Sequence, residues 1–174
     1  MPRMDTQTLN LLARYNAKAN ADMNALIAPL GDESWRKKFD GYFSSLKSMC
    51  NHLYIGDHNW LRRFAGLREF AYAKDPLLAG KIGFGERAVG TVGEYLAMRE
   101  TLDRKILEFA AEVRPDDFGK KLAYLDSHGD RHERDFGGLV LHFFNHQTHH
   151  RGMVSLYLEF LGVPNDFNNL CDLL

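Results

Sequence analysis

Apolar residues recur every three or four positions in four segments of the chain, and this spacing places them on one face of an α-helix. The predicted helices run from Asp5 to about Ala28, from Ser44 or Ser45 to Phe64, from about Thr91 to Val113, and from about Phe136 to Leu161. The first three segments begin close to a residue that can cap a helix, and Thr91 with Glu94 matches a capping box. Gly162 and Pro164 form a stop signal after the last helix.

The segments between these helices have a different composition. Residues 32–40 are polar and predict a loop, and residues 66–88 contain four glycines and a proline, which predict a long connection. Residues 121–135 predict a short hairpin or an ordered loop, and Gly129 favours the hairpin. The tail from residue 165 is expected to form a short helical turn.

These elements predict an all-α fold. We expect an antiparallel up-down four-helix bundle with a small hairpin or loop excursion before the last long helix. The chain has 174 residues, which is the size of one domain and is sufficient to bury a core, so residues 1–174 are expected to form a single domain.

Composition narrows the class of protein further. The chain has 22 basic and 23 acidic residues, a balance that argues against nucleic acid as a partner. Its two cysteines, Cys50 and Cys171, form neither a disulfide framework nor a metal-binding pair, and the N-terminus has no evident signal peptide. No segment has eighteen uninterrupted apolar residues. We therefore expect a cytoplasmic protein that does not bind a membrane.

Histidine is unusually concentrated in the last predicted helix. The chain has eight histidines, and four of them lie between His142 and His150. On a helix that turns 100° per residue, His146 and His150 lie within the apolar face, one turn apart. His142 and His149 lie at the edge of that face. His52 lies beside the apolar face of the second predicted helix.

Two imidazoles four residues apart on one helix face can bind a single metal ion. We therefore predict a metal site on His146 and His150, with His52 as a third ligand from another helix. The alternative is a hydrogen-bonded pair of core histidines, since buried polar side chains need partners. Gln147 stands where a zincin has its catalytic glutamate, and the Glu-x-x-His signature of carboxylate-bridged di-iron bundles is missing from the sequence.

Two stretches of the sequence carry a family resemblance. HFFNHQTHHRG (142–152) and HLYIGDHNWL (52–61) together resemble the DinB-like family of bacterial four-helix proteins, which is related to the YfiT-like metalloenzymes. The resemblance covers essentially the whole chain. It implies a bundle whose core-facing histidines bind a divalent cation, often nickel or zinc. Its ligands would be His52, His146 and His150, and it implies a homodimer.

The resemblance also implies a class of chemistry. The expected function is a metal-dependent enzyme with a small-molecule substrate, either a hydrolase or a transferase of low-molecular-weight thiols. His142 could orient a ligand or carry a proton, or it could be a structural hydrogen-bonding residue. The alternative is a non-catalytic, metal-stabilised bundle that acts through dimerisation or partner binding. An open coordination position beside a pocket would favour the enzyme, and a fourth protein ligand would favour the structural site.

Overall fold

The computed structural model describes residues 4–84 and 88–174, and the chain is mostly helical. The described residues contain these helices and strands: α1 (Thr6–Ile27), α2 (Asp32–Arg36), α3 (Leu46–Phe64), α4 (Val92–Glu112), β1 (Lys121–Leu125), β2 (Arg131–Asp135) and α5 (Phe136–Phe160). Helix α1 packs against α4 and α5, and α3 also packs against α4 and α5. The predicted helical class is confirmed, whereas the antiparallel up-down order stays a prediction.

The helix starts agree with the capping residues in the sequence. Asp5 accepts a hydrogen bond of 2.7 Å from the backbone N–H of Thr8, at the start of α1. Ser45 and Ser48 form a reciprocal capping box at the start of α3, and Thr91 forms one with Glu94 at the start of α4. Each box satisfies backbone N–H groups that the first helical turn leaves without a partner.

Residues 121–135 form a hairpin, which resolves the choice between hairpin and loop. Strands β1 and β2 pair antiparallel, with Lys121 opposite Asp135 and Leu125 opposite Arg131. Gly129 has a φ of +94°, a left-handed conformation that suits glycine and closes the turn. The prediction of a loop over residues 32–40 is wrong for residues 32–36, which form α2. That helix buries Trp35, whose ring lies 5.6 Å from the ring of Tyr95.

The long connection after α3 is ordered where it is described. It contains two short 3-10 turns, Tyr72–Lys74 and Pro76–Leu78. Tyr72 is buried and donates a hydrogen bond of 2.8 Å to the carbonyl oxygen of Leu61. Residues 85–87 of the predicted connection lie outside the described residues. After the last helix, Gly162 has a φ of +80°, and the tail forms a 3-10 turn over Leu170–Leu173.

A polar network links the four long helices through the core. Arg99 of α4 donates to the carboxylate of Asp57 on α3 and, at 2.7 Å, to Asp103 on its own helix. Asn20 of α1 donates to Asp103 at 2.8 Å. Arg151 of α5 is buried and donates to the side-chain oxygen of Asn16 on α1. Buried charges are stable only when they are paired and hydrogen-bonded, so this network constrains how the helices meet.

The apolar core lies on both sides of this network. Large aromatic rings dominate one side, where Phe64 stacks on Phe109 with centroids 5.0 Å apart and meets Phe143 edge to face at 5.7 Å. Methionine, leucine and Trp35 dominate the other side. None of the helices in the described parts of the chain has the length and apolarity that a membrane span requires.

Candidate metal centre

Three imidazoles from two helices converge on one point. Nε2 of His52, on α3, lies 3.3 Å from Nε2 of His146 and 3.1 Å from Nε2 of His150, both on α5. One ligand atom from each of the three residues lies within 4.8 Å of the others. The spacing of His146 and His150 puts them on successive turns of the same face, with ring centroids 4.3 Å apart. The structure therefore brings together the three histidines that the sequence singled out.

The distances match those around a bound transition metal. Imidazole nitrogens bind zinc at about 2.0–2.1 Å, and tetrahedral angles then place any two of them about 3.3–3.4 Å apart. The two Nε2–Nε2 distances to His52 are 3.3 Å and 3.1 Å. Both distances from His52 therefore fit a three-histidine site, and the donors are all imidazole nitrogens, which suit zinc, nickel and other late transition metals.

The electrostatics of the cluster keep all three imidazoles neutral at pH 7. Burial, with the neighbouring His146, lowers the pKa of His52 from 6.5 to about 4. Burial also lowers the pKa of His146 to about 4 and, together with the nearby imidazoles, that of His150 to about 3. A neutral imidazole has a free lone pair, which is the form that binds a metal ion.

A glycine on α3 makes room for one of these rings. An ideal Cβ placed on Gly56 would lie 3.1 Å from Cε1 of His146, closer than side chains usually approach. Gly56 lies one turn after His52, so the absence of a side chain there lets the ring of His146 rest against the helix that carries His52. Gly56 was not predicted to belong to the site. The sequence did contain a signal, because glycine is unfavourable inside a helix and its presence in α3 indicates a close contact there.

Aromatic side chains enclose the cluster. The ring of His52 has Phe43 on one side, with centroids 4.7 Å apart, and Phe84 on another, at 5.2 Å. Phe43 also meets His150 edge to face at 5.6 Å. The hydroxyl of Tyr157, from α5, donates to the carbonyl oxygen of Phe43 and holds this segment against the helix. Neither phenylalanine was predicted to be near the site, since both lie in irregular segments that show no periodicity.

One side of the cluster opens into a cleft. The cleft has a volume of about 890 Å³, and His52 and Ile55 of α3 form part of its wall. The segment before α3, the segment around Phe84 and the tip of the hairpin form the rest. His150 is 7% exposed and lies deeper, whereas His52 and His146 are half-buried. A small molecule in the cleft would therefore meet His52 first.

His142 lies outside the convergent set. Its side chain is exposed, and its ring centroid lies 6.2 Å from that of His146 and 5.4 Å from that of Trp60. It lines a separate cavity of about 360 Å³, together with Tyr124 of the hairpin. His149 is also exposed, and it is not among the three residues whose ligand atoms converge.

Fold and site together define a mostly helical protein with three histidines in a geometry suited to a metal ion. The sequence matches the DinB family over residues 4–170, nearly the whole chain, and the protein belongs to that family. The resemblance carried by the two histidine-containing stretches is therefore confirmed. No curated protein matches the chain.

Proposed function

We propose that this DinB-family protein is a metal-dependent enzyme that holds one divalent cation, nickel or zinc, on His52, His146 and His150. Its reaction is hydrolysis or the transfer of a low-molecular-weight thiol. The observation that carries the proposal is the convergence of three neutral Nε2 atoms beside an open cleft. Such an ion supplies Lewis acidity, which lowers the pKa of a water or thiol that reaches it.

The surroundings of the cluster support an enzyme rather than a structural metal site. Structural zinc sites are closed by a fourth protein ligand, whereas catalytic sites keep an open position. Within residues 4–84 and 88–174, no further histidine, cysteine, aspartate or glutamate joins the three imidazoles. The cleft gives a substrate access to His52. These features argue against the non-catalytic bundle that acts only through dimerisation or partner binding.

The residues around the ligands have distinct roles in this proposal. Phe43 and Phe84 contact the ring of His52 and shield part of it from water, which strengthens electrostatic interactions on that side of the site. His142, exposed and one turn before His146, is the proposed proton carrier at the edge of the site. Its imidazole is the type of group that exchanges protons near neutral pH.

The proposal also includes the order of the helices, the oligomeric state and the cellular location. Contacts of α1 and α3 with both α4 and α5 support an up-down antiparallel four-helix bundle. The DinB resemblance implies a homodimer. Both cysteines are free thiols, which supports a reducing, cytoplasmic location.

Elemental analysis of protein purified without chelators tests the site. We expect one nickel or zinc ion per chain and its loss in the double variant His146→Ala/His150→Ala. His149→Ala is the matched control, because His149 is on the same turn but exposed and outside the cluster. Circular dichroism checks that the double variant remains helical. A folded double variant that still holds one ion per chain would overturn the site.

Turnover is tested separately with the metal-loaded protein. We expect activity in a panel of esterase and thiol-transfer reactions, and loss of that activity in the same double variant. A protein that binds one ion per chain but turns over nothing in the panel would favour the structural alternative.

A further inference from the structure

The described residues that line the cleft beside His52 carry charge of one sign only. Three of the lining residues carry ammonium groups, Lys38, Lys47 and Lys81. Among the described residues that line the cleft, none has a carboxylate. Because the whole chain has 22 basic and 23 acidic residues, the excess of positive charge among these described lining residues is a local feature. Clefts lined by charge of one sign raise the local concentration of ligands of the opposite sign.

The backbone adds to the positive potential. Helix α3 begins at the cleft, where Ser45 caps it and Ser48 lines the wall. The first turn of a helix carries a partial positive charge from its aligned peptide dipoles. Lys38 donates a hydrogen bond of 3.2 Å to the hydroxyl of Ser44, which places its ammonium group at this end of the helix.

A second cleft continues the basic surface. It has a volume of about 630 Å³, shares Lys81 with the first cleft, and is also lined by Arg62, Arg63 and Arg131. Among the described residues of this cleft, Asp126 has the one carboxylate, and that carboxylate is held by hydrogen bonds within the hairpin.

The described lining of the second cleft has a net positive charge, because three arginines and a lysine outnumber the single carboxylate of Asp126. Its carboxylate lies 3.0 Å from Nε2 of His132 and accepts hydrogen bonds from the backbone N–H groups of His128 and Asp130. The hydrogen bond with His132 and these backbone N–H groups lower the pKa of Asp126 to about 2. Arg62 donates its Nε–H to the carbonyl oxygen of Leu78, which fixes that guanidinium at the cleft wall.

The wall of the first cleft also has an apolar part. Tyr42, Phe43 and Phe84 line it, and Tyr42 and Phe84 are 90% and 45% exposed. Large aromatic side chains that remain this exposed beside a site are suited to bind the apolar body of a ligand.

We propose that the cleft binds a small anionic molecule, one that carries a carboxylate or phosphate group on an apolar body. Lys38 and Lys81 bind the anionic group, and Phe43 with Phe84 contacts the apolar part next to His52. This names the substrate class of the metal site and so rests on the proposed function.

Titration with small probes tests the charge preference. Phenylacetate and phenyl phosphate are the anionic probes, and phenylacetamide is a neutral probe of similar shape. Binding is followed by shifts of the backbone amides around Ser48 and Lys81 in ¹⁵N-labelled protein, both metal-free and zinc-loaded. We expect either anion to bind about fivefold more tightly than the amide, as the Coulomb energy of one close charge pair in water suggests. The tighter of the two anions identifies the headgroup.

Charge reversal locates the interaction. Lys81→Glu and Lys38→Glu each replace an exposed side chain, and each is expected to weaken binding of the anions about fivefold or more while binding of the amide stays unchanged. Arg14→Glu is the control, because it makes the same change in net charge at an exposed position of α1 that lines none of the described clefts.

The two proposals fail in different ways. Equal binding of amide and anions, or equal weakening by Arg14→Glu, would overturn the anionic substrate class even if the protein holds one ion per chain. A preference for anions that persists in metal-free protein and is lost in Lys81→Glu supports this inference even if the metal site itself fails its test.

Discussion

At the scale of single residues, Gly56 is the position where backbone and metal site are most directly coupled. Gly56→Ala should raise the intrinsic helix propensity of α3 by up to about 1 kcal/mol. The new Cβ would lie 3.1 Å from Cε1 of His146, so the ring must move away from His52. We expect zinc affinity to fall about tenfold while the protein stays folded, as measured by competition with a chromogenic chelator.

Gly152 provides the matched control for this substitution. It also lies inside a long helix, α5, but a Cβ there would meet nothing within 4 Å. Gly152→Ala should therefore stabilise the protein slightly and leave the zinc affinity unchanged. If both alanine variants bind zinc like the parent protein, Gly56 does not position His146.

The two cysteines should differ sharply in reactivity. Cys50 is fully buried, and burial raises the pKa of its thiol to about 12, so it has almost no thiolate at pH 8. Cys171 is exposed. We expect one thiol per chain to react with Ellman's reagent in native protein, two in guanidinium, and none in native Cys171→Ser. A second fast thiol in native protein would show that the core around Cys50 opens.

At the scale of elements, the ion pairs of Arg99 join α3 to α4. Burial raises the pKa of Asp103 to about 6, and it also raises that of Asp57 despite the attraction of Arg99. Arg99→Met would leave both carboxylates without a cation, and removal of one partner from a buried pair costs about 3–5 kcal/mol. We expect a loss of that size in urea unfolding at pH 7.

The stability lost in Arg99→Met should become smaller as the pH falls. In Arg99→Met the folded carboxylates keep raised pKa values, so they take up protons above the pH at which the unfolded chain does, and this uptake favours the folded state. Arg104→Met is the control on the same helix, since the Arg104–Glu100 pair is exposed and worth less than about 1 kcal/mol. An equal loss in both variants would contradict a special role for Arg99.

The elements that the sequence predicted well are those with local signals. Ser45 and Thr91 mark helix starts because a cap needs only residues within the same turn. The pair His146 and His150 was found for the same reason, since helical spacing alone puts both on one face. His52 was assigned as their partner because it lies beside the apolar face of another predicted helix, and the family resemblance pointed to the same residue.

Features that depend on tertiary packing were missed. Trp35 was expected to anchor residues 32–40 and is buried against Tyr95, but the helical conformation around it was missed because five mostly polar residues show no helical periodicity. Phe43 contacts His52 from an irregular segment, and its position depends on a hydrogen bond from Tyr157. Arg99 lies at a helical spacing that suits the core, but its two carboxylate partners become evident only when α3 and α4 are seen together.

At the scale of the whole molecule, the neutral cluster links folding to pH. The unfolded chain protonates His52, His146 and His150 near pH 6.5, whereas the folded chain does so only near pH 4 or below. The unfolded state therefore binds more protons in this range, and the stability of the metal-free protein should fall as the pH decreases from 7 to 5.

The double variant His146→Gln/His150→Gln measures the contribution of the cluster. Between pH 7 and 5 the double variant should lose less stability than the parent protein. The difference should be at least about 1 kcal/mol, after allowance for solvent screening of partly exposed groups. Asp103, whose pKa is raised to about 6, acts in the opposite direction but is common to both proteins. Parallel urea midpoints for the two proteins from pH 7 to 5 would contradict the linkage.

Metal binding should add a pH dependence of its own near pH 4, because protons and the ion compete for the same three nitrogens and the folded imidazoles take up protons only there. Zinc at a hundred times its dissociation constant should stabilise the folded protein by about 2.7 kcal/mol at pH 7, provided that the unfolded chain binds it weakly. The gain should change little between pH 7 and 5, decrease toward pH 4 as the folded imidazoles take up protons, and be absent from His146→Gln/His150→Gln. Thermal unfolding with and without zinc measures it. An equal rise of the unfolding temperature in the double variant would place the ion elsewhere on the chain.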